Sequence, residues 1–170
     1  MNRLFIPGFS TRLGTTSEQY LLLRFMQRTY TELYPGNDYH HLQGIIDQYW
    51  SPQTPYWLVA SLQNPQEFIA CLWLGTAVDQ TTGDTYTHIF ILVVAPEYRR
   101  QGLGTALLQM AESWTHQQGH HQIGLQVFTN AQPALSLYQK LGYQPRSLLL
   151  MKGMAKNSAS YPILSISQES

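Results

Sequence analysis

Between residues 56 and 94 the chain is built from runs dense in β-branched and aromatic residues, and from Leu103 onward the apolar positions shift to a three–four spacing. The first pattern belongs to strands, the second to helices laid against a core. A short strand is predicted over 9–13. Ser17 as N-cap and Glu18 in the first turn then open a helix through Tyr20, Leu21, Leu23, Met26 and Tyr30 to about Leu33. Pro35-Gly36-Asn37-Asp38 stops it, and a shorter helix over 39–50 carries Leu42, Ile45, Ile46 and Tyr49 on one side. Strands are predicted at 56–62 and 68–76, joined as a hairpin by a turn at 64–67, and a long strand at 85–94 follows a second turn at 79–84.

After Pro96 the positions Leu103, Ala106, Leu107, Met110, Ala111 and Trp114 predict a helix that ends at Gly119. A strand over 123–128 follows. Ala134, Leu135, Leu137, Tyr138 and Leu141 then mark another helix, with Gly142 as its C-cap, and a last strand is expected over 147–151. The order β-α-α-β-β-β-α-β-α-β describes an α/β domain with an antiparallel first half and β-α-β crossovers later. Residues 1–154 are expected to form one domain, and 155–170 a polar C-terminal tail in which 161–166 is read as tail or as an extra edge strand.

The chain has 170 residues, enough for one domain with a core. Ten basic and ten acidic residues give a formal net charge of zero, which argues against a general nucleic-acid surface or a polybasic membrane surface. The apolar run at the N-terminus stops at Pro7, and no stretch reaches the ~18 apolar residues that a spanning helix needs, so a cytoplasmic protein is expected. The lone cysteine, Cys71, sits in the apolar run 68–74 and reads as a buried, inert thiol. His40-His41 and His120-His121 are adjacent pairs that share no face, and no cysteine or carboxylate completes a ligand spacing, so no metal is expected.

The chemistry concentrates in residues 93–105, where a strand end meets a helix start. A helix N-terminus presents unpaired N–H groups and partial positive charge. Gly102 and Gly104 open the backbone to an anion, and Arg99 and Arg100 add phosphate-binding donors. The physical readings are a phosphate cradle or a glycine-assisted turn with solvated arginines. The P-loop and the dinucleotide fingerprint are both missing.

Arg99-Arg100-Gln101-Gly102-Leu103-Gly104 resembles the Arg/Gln-x-x-Gly-x-Gly/Ala signature of the GNAT-type N-acetyltransferases. The segment from Ala134-Leu135-Ser136-Leu137-Tyr138 to Leu141-Gly142-Tyr143 resembles the same family's later Ala-x-x-Leu-Tyr-x-x-x-Gly-Phe/Tyr helix. The resemblance is specific over residues 88–151 and rests before that on the order of elements. It implies a mixed sheet of six or seven strands flanked by about four helices, with a β-bulge and splay before the glycine-rich loop.

The resemblance also implies acetyl-CoA as cosubstrate. Backbone groups of Leu92, Val93 and Val94 would bind its pantetheine arm like an added strand. Arg99, Arg100, Gln101, Gly102, Leu103, Gly104 and Thr105 would hold the pyrophosphate. Tyr138 matches the general acid that protonates the departing thiolate. His88 stands where several relatives hold a glutamate base, and alternation places His88, Phe90, Leu92 and Val94 on one side of the strand. The family's asparagine position falls on Ala131, with Asn130 one residue early as the candidate for that contact. Tyr30, Tyr34, Tyr39 and Trp50 divide between core and acceptor-pocket wall, and Glu32 and Asp38 between attracting a cationic acceptor and solvated surface.

The expected function is transfer of an acetyl group from acetyl-CoA to a primary amine, on a small molecule or a protein, by direct attack. The protein would be a monomer or homodimer with no nucleic-acid or membrane partner. The alternatives are a non-catalytic CoA-binding regulatory module and an unrelated phosphate-binding α/β protein.

Overall fold

The computed structural model describes residues 6–153. Five strands form one sheet in the order β1 (Phe9–Leu13), β2 (Tyr56–Ser61), β3 (Asn64–Val78), β4 (Thr85–Val94) and β5 (Ile123–Leu125). The first four run antiparallel to their neighbours, and β5 is parallel to β4. Parallel pairing needs a crossover, supplied here by α3 (Leu103–Gln117). Helices α1 (Gln19–Leu33) and α2 (Leu42–Tyr49) cover one face. Their buried Leu22, Phe25, Met26, Leu42 and Ile46 cluster with Leu58, Cys71, Trp73, Ile91 and Val93 of the sheet. On the other face Leu103, Leu107, Leu108 and Ala111 pack on Val59, Leu72, Leu74, Ile89 and Val94, and Leu137 and Tyr138 of α4 (Gln132–Lys140) lean on the same cluster. Burial on both faces explains why 69–74 of β3 reads as an unbroken apolar run.

Several sequence expectations change. The sheet has five strands among the described residues, against the six or seven expected. Residues 147–151 form no strand: Leu148, Leu149 and Leu150 are well exposed and no strand pairs with them. An apolar run favours a strand only when a partner edge meets it. β5 is half the length expected, ending at Leu125. The hairpin turns at Leu62 and Gln63, so 64–67 belong to β3, where the register skips from Ala60↔Phe68 to Ser61↔Asn64 and leaves Pro65 unpaired in a bulge. Thr15, not Ser17, caps the first helical segment, because its side chain and Glu18 form a reciprocal capping box ahead of α1. The possible tail strand at 161–166 lies outside the described residues.

One correction bears on the site. The β3–β4 register passes from Trp73↔Ile91 to Leu74↔Ile89, so Phe90 is an extra residue on β4. One inserted residue flips everything beyond it to the other face. His88 and Phe90 therefore face α1 and α2, with Ile91 and Val93, while Leu92 and Val94 face α3. The expected single row of His88, Phe90, Leu92 and Val94 does not form.

Candidate active site

β4 is laddered to β3 along its whole length, but β5 accompanies it only through Thr87↔Ile123, His88↔Gly124 and Ile89↔Leu125. From Phe90 onward the β5-side edge of β4 has no strand partner among the described residues. The bond from Ala95 N–H to Ile69 C=O (2.8 Å) sets the phase of the ladder. By alternation Val93 directs its backbone groups at β3, whereas Leu92 and Val94 direct theirs into the open edge. Of the three residues expected to offer backbone there, two do so. The Val94 carbonyl already accepts a bond from Arg99 Nε (2.9 Å).

The open edge runs into the loop before α3. Arg100 takes φ +62° and Gly102 φ +83°, so two left-handed residues lie within three positions. A non-glycine residue in that region is strained, and turns of this kind gather successive N–H groups into an anion-binding concavity. The first intrahelical bond of α3 runs from Ala106 N–H to Gly102 C=O (3.0 Å), which leaves the N–H groups of Leu103, Gly104 and Thr105 without helical partners. The side chain of Leu103 is core, so only its backbone is available. Gly102 faces open space. A Cβ on Gly104 would come within 2.9 Å of Leu137 Cδ2, so this glycine lets α4 approach α3.

Arg99 and Arg100, adjacent in sequence, have different surroundings. Arg99 Nη1 and Nη2 each donate to Glu32 at 2.6 Å, which together with the Val94 bond occupies all three guanidinium nitrogens within the protein. The guanidinium beside it holds the Glu32 carboxyl below the usual carboxylate range. Arg28, one turn before Glu32 on α1, bonds both carboxylate oxygens of Glu97 at 2.9 Å. These two pairs join α1 to the loop across more than 60 residues of chain, which no sequence spacing announces. Arg100 and Gln101 are exposed.

Tyr138 and His88 lie on opposite faces of the sheet. Tyr138 packs with the α3-side cluster, and burial raises its phenol above the usual tyrosine range, so it stays protonated at neutral pH. Its ring is 5.7 Å from that of Tyr143, whose buried hydroxyl has no partner among the described residues. His88, on the α1 face, is flanked in register by Gly75 and Gly124, and the rings of Tyr86 (6.3 Å) and Phe90 (5.1 Å) stand edge-on to it. A Cβ on Gly75 would meet the Phe90 ring, and one on Gly124 the Tyr86 ring, so both glycines make room for these aromatics. Burial pushes the His88 imidazole below its usual value, which favours the neutral form. β5 pairing ends one residue beyond His88, at Ile89↔Leu125.

Asn130 is exposed immediately before Ala131, the N-cap of α4; no side-chain bond ties it in place. Phe128, expected inside a strand, instead follows the point where the chain leaves β4, and its ring meets Tyr34 at 5.3 Å and Tyr30 at 6.1 Å. Cys71 is buried without exposure, which drives its thiol far above the usual range and makes it unsuited to nucleophilic work. No group of three potential metal ligands occurs among the described residues, and no described helix is long and apolar enough to cross a membrane.

The acetyltransferase (GNAT) family matches residues 22–143. The uncharacterized N-acetyltransferase YobR of Bacillus subtilis (strain 168) is 36% identical over 64 residues, covering 38% of this chain and 26% of that protein. An N-alpha-acetyltransferase of Sulfurisphaera tokodaii is 35% identical over 63 residues, covering 36% of this chain and 38% of its own length. The chain thus aligns with between a quarter and two fifths of these relatives. The crystal structure of the aminoglycoside antibiotic 6'-N-acetyltransferase AAC(6')-Ih from Acinetobacter baumannii superposes with TM-score 0.64 at 22% identity, covering 87% of this chain and 100% of that one. At that identity the likeness shows the α/β fold.

Proposed function

This chain belongs to the GNAT acetyltransferase family, and on that premise we propose that it transfers an acetyl group from acetyl-CoA to a primary amine, with residues 1–154 acting as one catalytic domain. The observation that carries the proposal is the parting of β4 and β5 directly before a strained glycine loop, with Tyr138 packed on one face of the sheet and His88 on the other.

The residues present suit the cosubstrate. The open edge of β4 offers the N–H and C=O of Leu92 and the N–H of Val94 to an amide-bearing arm that lies alongside like a strand. The loop amides, the free N–H groups of Leu103, Gly104 and Thr105, and the uncommitted Arg100 suit a pyrophosphate. Gln101 and Gly102, both exposed in the loop, and Asn130, exposed before α4, would add contacts to the cosubstrate. Arg99 belongs to this group as the residue that shapes the loop, since Glu32 and Val94 engage three of its five N–H donors.

Acetyl-CoA supplies an activated acetyl group that passes directly to the amine: a C–N bond forms, the C–S bond breaks, and coenzyme A leaves as the thiol. His88 accepts the proton that the amine nitrogen loses. Tyr138 donates the proton that the departing sulfur gains, and both residues recover their forms through solvent. A backbone N–H of the β4 edge polarises the acetyl carbonyl as its oxygen gains charge. Cys71 plays no part.

Two variants test this. Gly104→Glu places a side chain against Leu137 and a negative charge beside the loop, so calorimetry should show acetyl-CoA affinity falling by about tenfold or more. Tyr138→Phe keeps the ring, so affinity should hold while kcat, read by thiol release, falls by roughly ten- to a thousandfold. Unchanged affinity in the first variant would remove the placement of the cosubstrate. Unchanged kcat in the second, with chemistry rate-limiting, would leave a binding module in which Tyr138 only packs.

A further inference from the structure

Resting on the acetyltransferase reading, we infer that the acceptor is a monoamine: one primary amine on an apolar or aromatic body, with no second cationic centre. An acceptor that gives its proton to His88 would approach from the α1 and α2 face, the face that His88 shares. One cluster of rings stands on that face. Phe128, 42% exposed, stands edge-on to Tyr34 and Tyr30, and Tyr30 stacks on Tyr39 at 5.9 Å. The Tyr39 hydroxyl lies within hydrogen-bond distance of the carbonyls of Tyr30 (2.7 Å) and Tyr34 (2.6 Å), which share its one proton and hold this cluster to the end of α1. A second cluster on that face is Tyr86, His88 and Phe90, with Phe90 meeting Tyr49 of α2 at 5.4 Å. Aromatic clusters bury an apolar body and tolerate a single ammonium over a ring face.

The charges point the same way. Glu32, the carboxylate best placed on α1 to hold a cation, is paired through both oxygens with Arg99, and Glu97 likewise with Arg28. Recruiting Glu32 for a second ammonium would break a bidentate pair, recruiting Glu97 would break the bonds it accepts from Arg28 Nη2, and either would free an arginine beside it. Asp38 sits at the outer end of the α1–α2 loop beside His40, and Asp47 is turned to Gln43 on the exposed side of α2. A further positive charge on an acceptor would lose water against these rings, and among the described residues the carboxylates on α1, α2 and the loop between them are either paired, as Glu32 is, or solvent-exposed, as Asp38 and Asp47 are. This is where the chain parts from a polyamine or aminoglycoside site.

The test uses the whole purified chain. Calorimetry with acetyl-CoA comes first; failure to bind would sink the acetyltransferase reading and not this one. Thiol release is then measured with 2-phenylethylamine and with a neutral Met-Leu-Phe amide, which separate a free amine from a peptide N-terminus, and with spermidine and kanamycin. One of the first two should exceed both polycations by about tenfold or more in kcat/KM. Phe128→Ala should raise KM for the preferred amine by roughly fivefold or more while acetyl-CoA affinity stays within about twofold, and Phe128→Leu should recover most of the loss. Equal or better turnover of spermidine or kanamycin overturns the inference. So does an unaltered KM in Phe128→Ala, or no turnover of either apolar amine by protein that binds acetyl-CoA.

Discussion

β4 has two neighbours, and they behave differently. β3 stays paired with it from Val78↔Thr85 to Ala70↔Val94, and its segment 69–74 is buried on both faces. β5 leaves after Leu125, and neither β5 nor α4 contains a fully buried residue. The first region is packed for stability. The second leaves backbone groups of Leu92 and Val94 unladdered, a cost that a bound strand-like ligand would offset. Dense packing and unpaired backbone thus lie on opposite edges of one strand.

The sharpest way to break this contrast is to truncate a leucine on each side of it. Leu72→Ala, in the fully buried stretch of β3, should lose roughly 2–5 kcal/mol of unfolding free energy in chemical denaturation. Leu137→Ala, on half-exposed α4, should lose less, about 1–2 kcal/mol, and should weaken acetyl-CoA binding, because Leu137 seats α4 against Gly104. Equal stability losses would mean that the two edges are packed alike.

A pH profile sharpens the division between the faces. His88 has a folded-state pKa below its unfolded value near 6.5, so stability associated with it is present above that value and is lost as pH falls below it. As a base it works in the neutral form, so kcat/KM should rise with pH through an apparent pKa somewhat below 6.5. His88→Gln should erase that limb, with a rate loss of about tenfold or more, and leave any limb set by the acceptor's own ammonium. A wild-type profile in the variant would make His88 a packing residue between Tyr86 and Phe90.

The smallest expected effect comes from the ion pairs that tie α1 to the loop. They are partly exposed, 38% and 44% for Arg99 and Glu32, so each contributes little on its own. Glu32→Gln should weaken acetyl-CoA binding by about two- to fivefold, less at high salt where the pair is already screened. A much larger loss would show that Glu32 does more than hold Arg99, and would also reopen it as a partner for a cationic acceptor.

Most of the elements were legible because their patterns are local. Thr85–Val94 and Phe9–Leu13 match their expected bounds, and Gly119 and Gly142 follow helix ends with φ +72° and +88°. The glycine loop before α3 and the helix that carries Tyr138 were equally legible from local spacing, while the roles given to these residues rest on the family resemblance. The row of His88 and Leu92 on one face failed because a bulge adds a residue without leaving a mark in composition. The strand at 147–151 failed because three leucines in a row satisfy a strand pattern whether or not an edge awaits them. Arg99 and Arg100 look interchangeable in sequence, and only the position of Glu32 on α1 separates them.

By itself, then, the sequence determined the alternation of strands and helices, a buried and inert Cys71, and the glycine loop at the head of α3, because each depends on neighbours within a few turns of chain. Tertiary structure alone decided where β5 parts from β4, which face His88 takes, and which arginine pairs with a carboxylate of α1. Those outcomes depend on register and on contacts between segments more than 60 residues apart, where a one-residue shift or one distant carboxylate reverses the result.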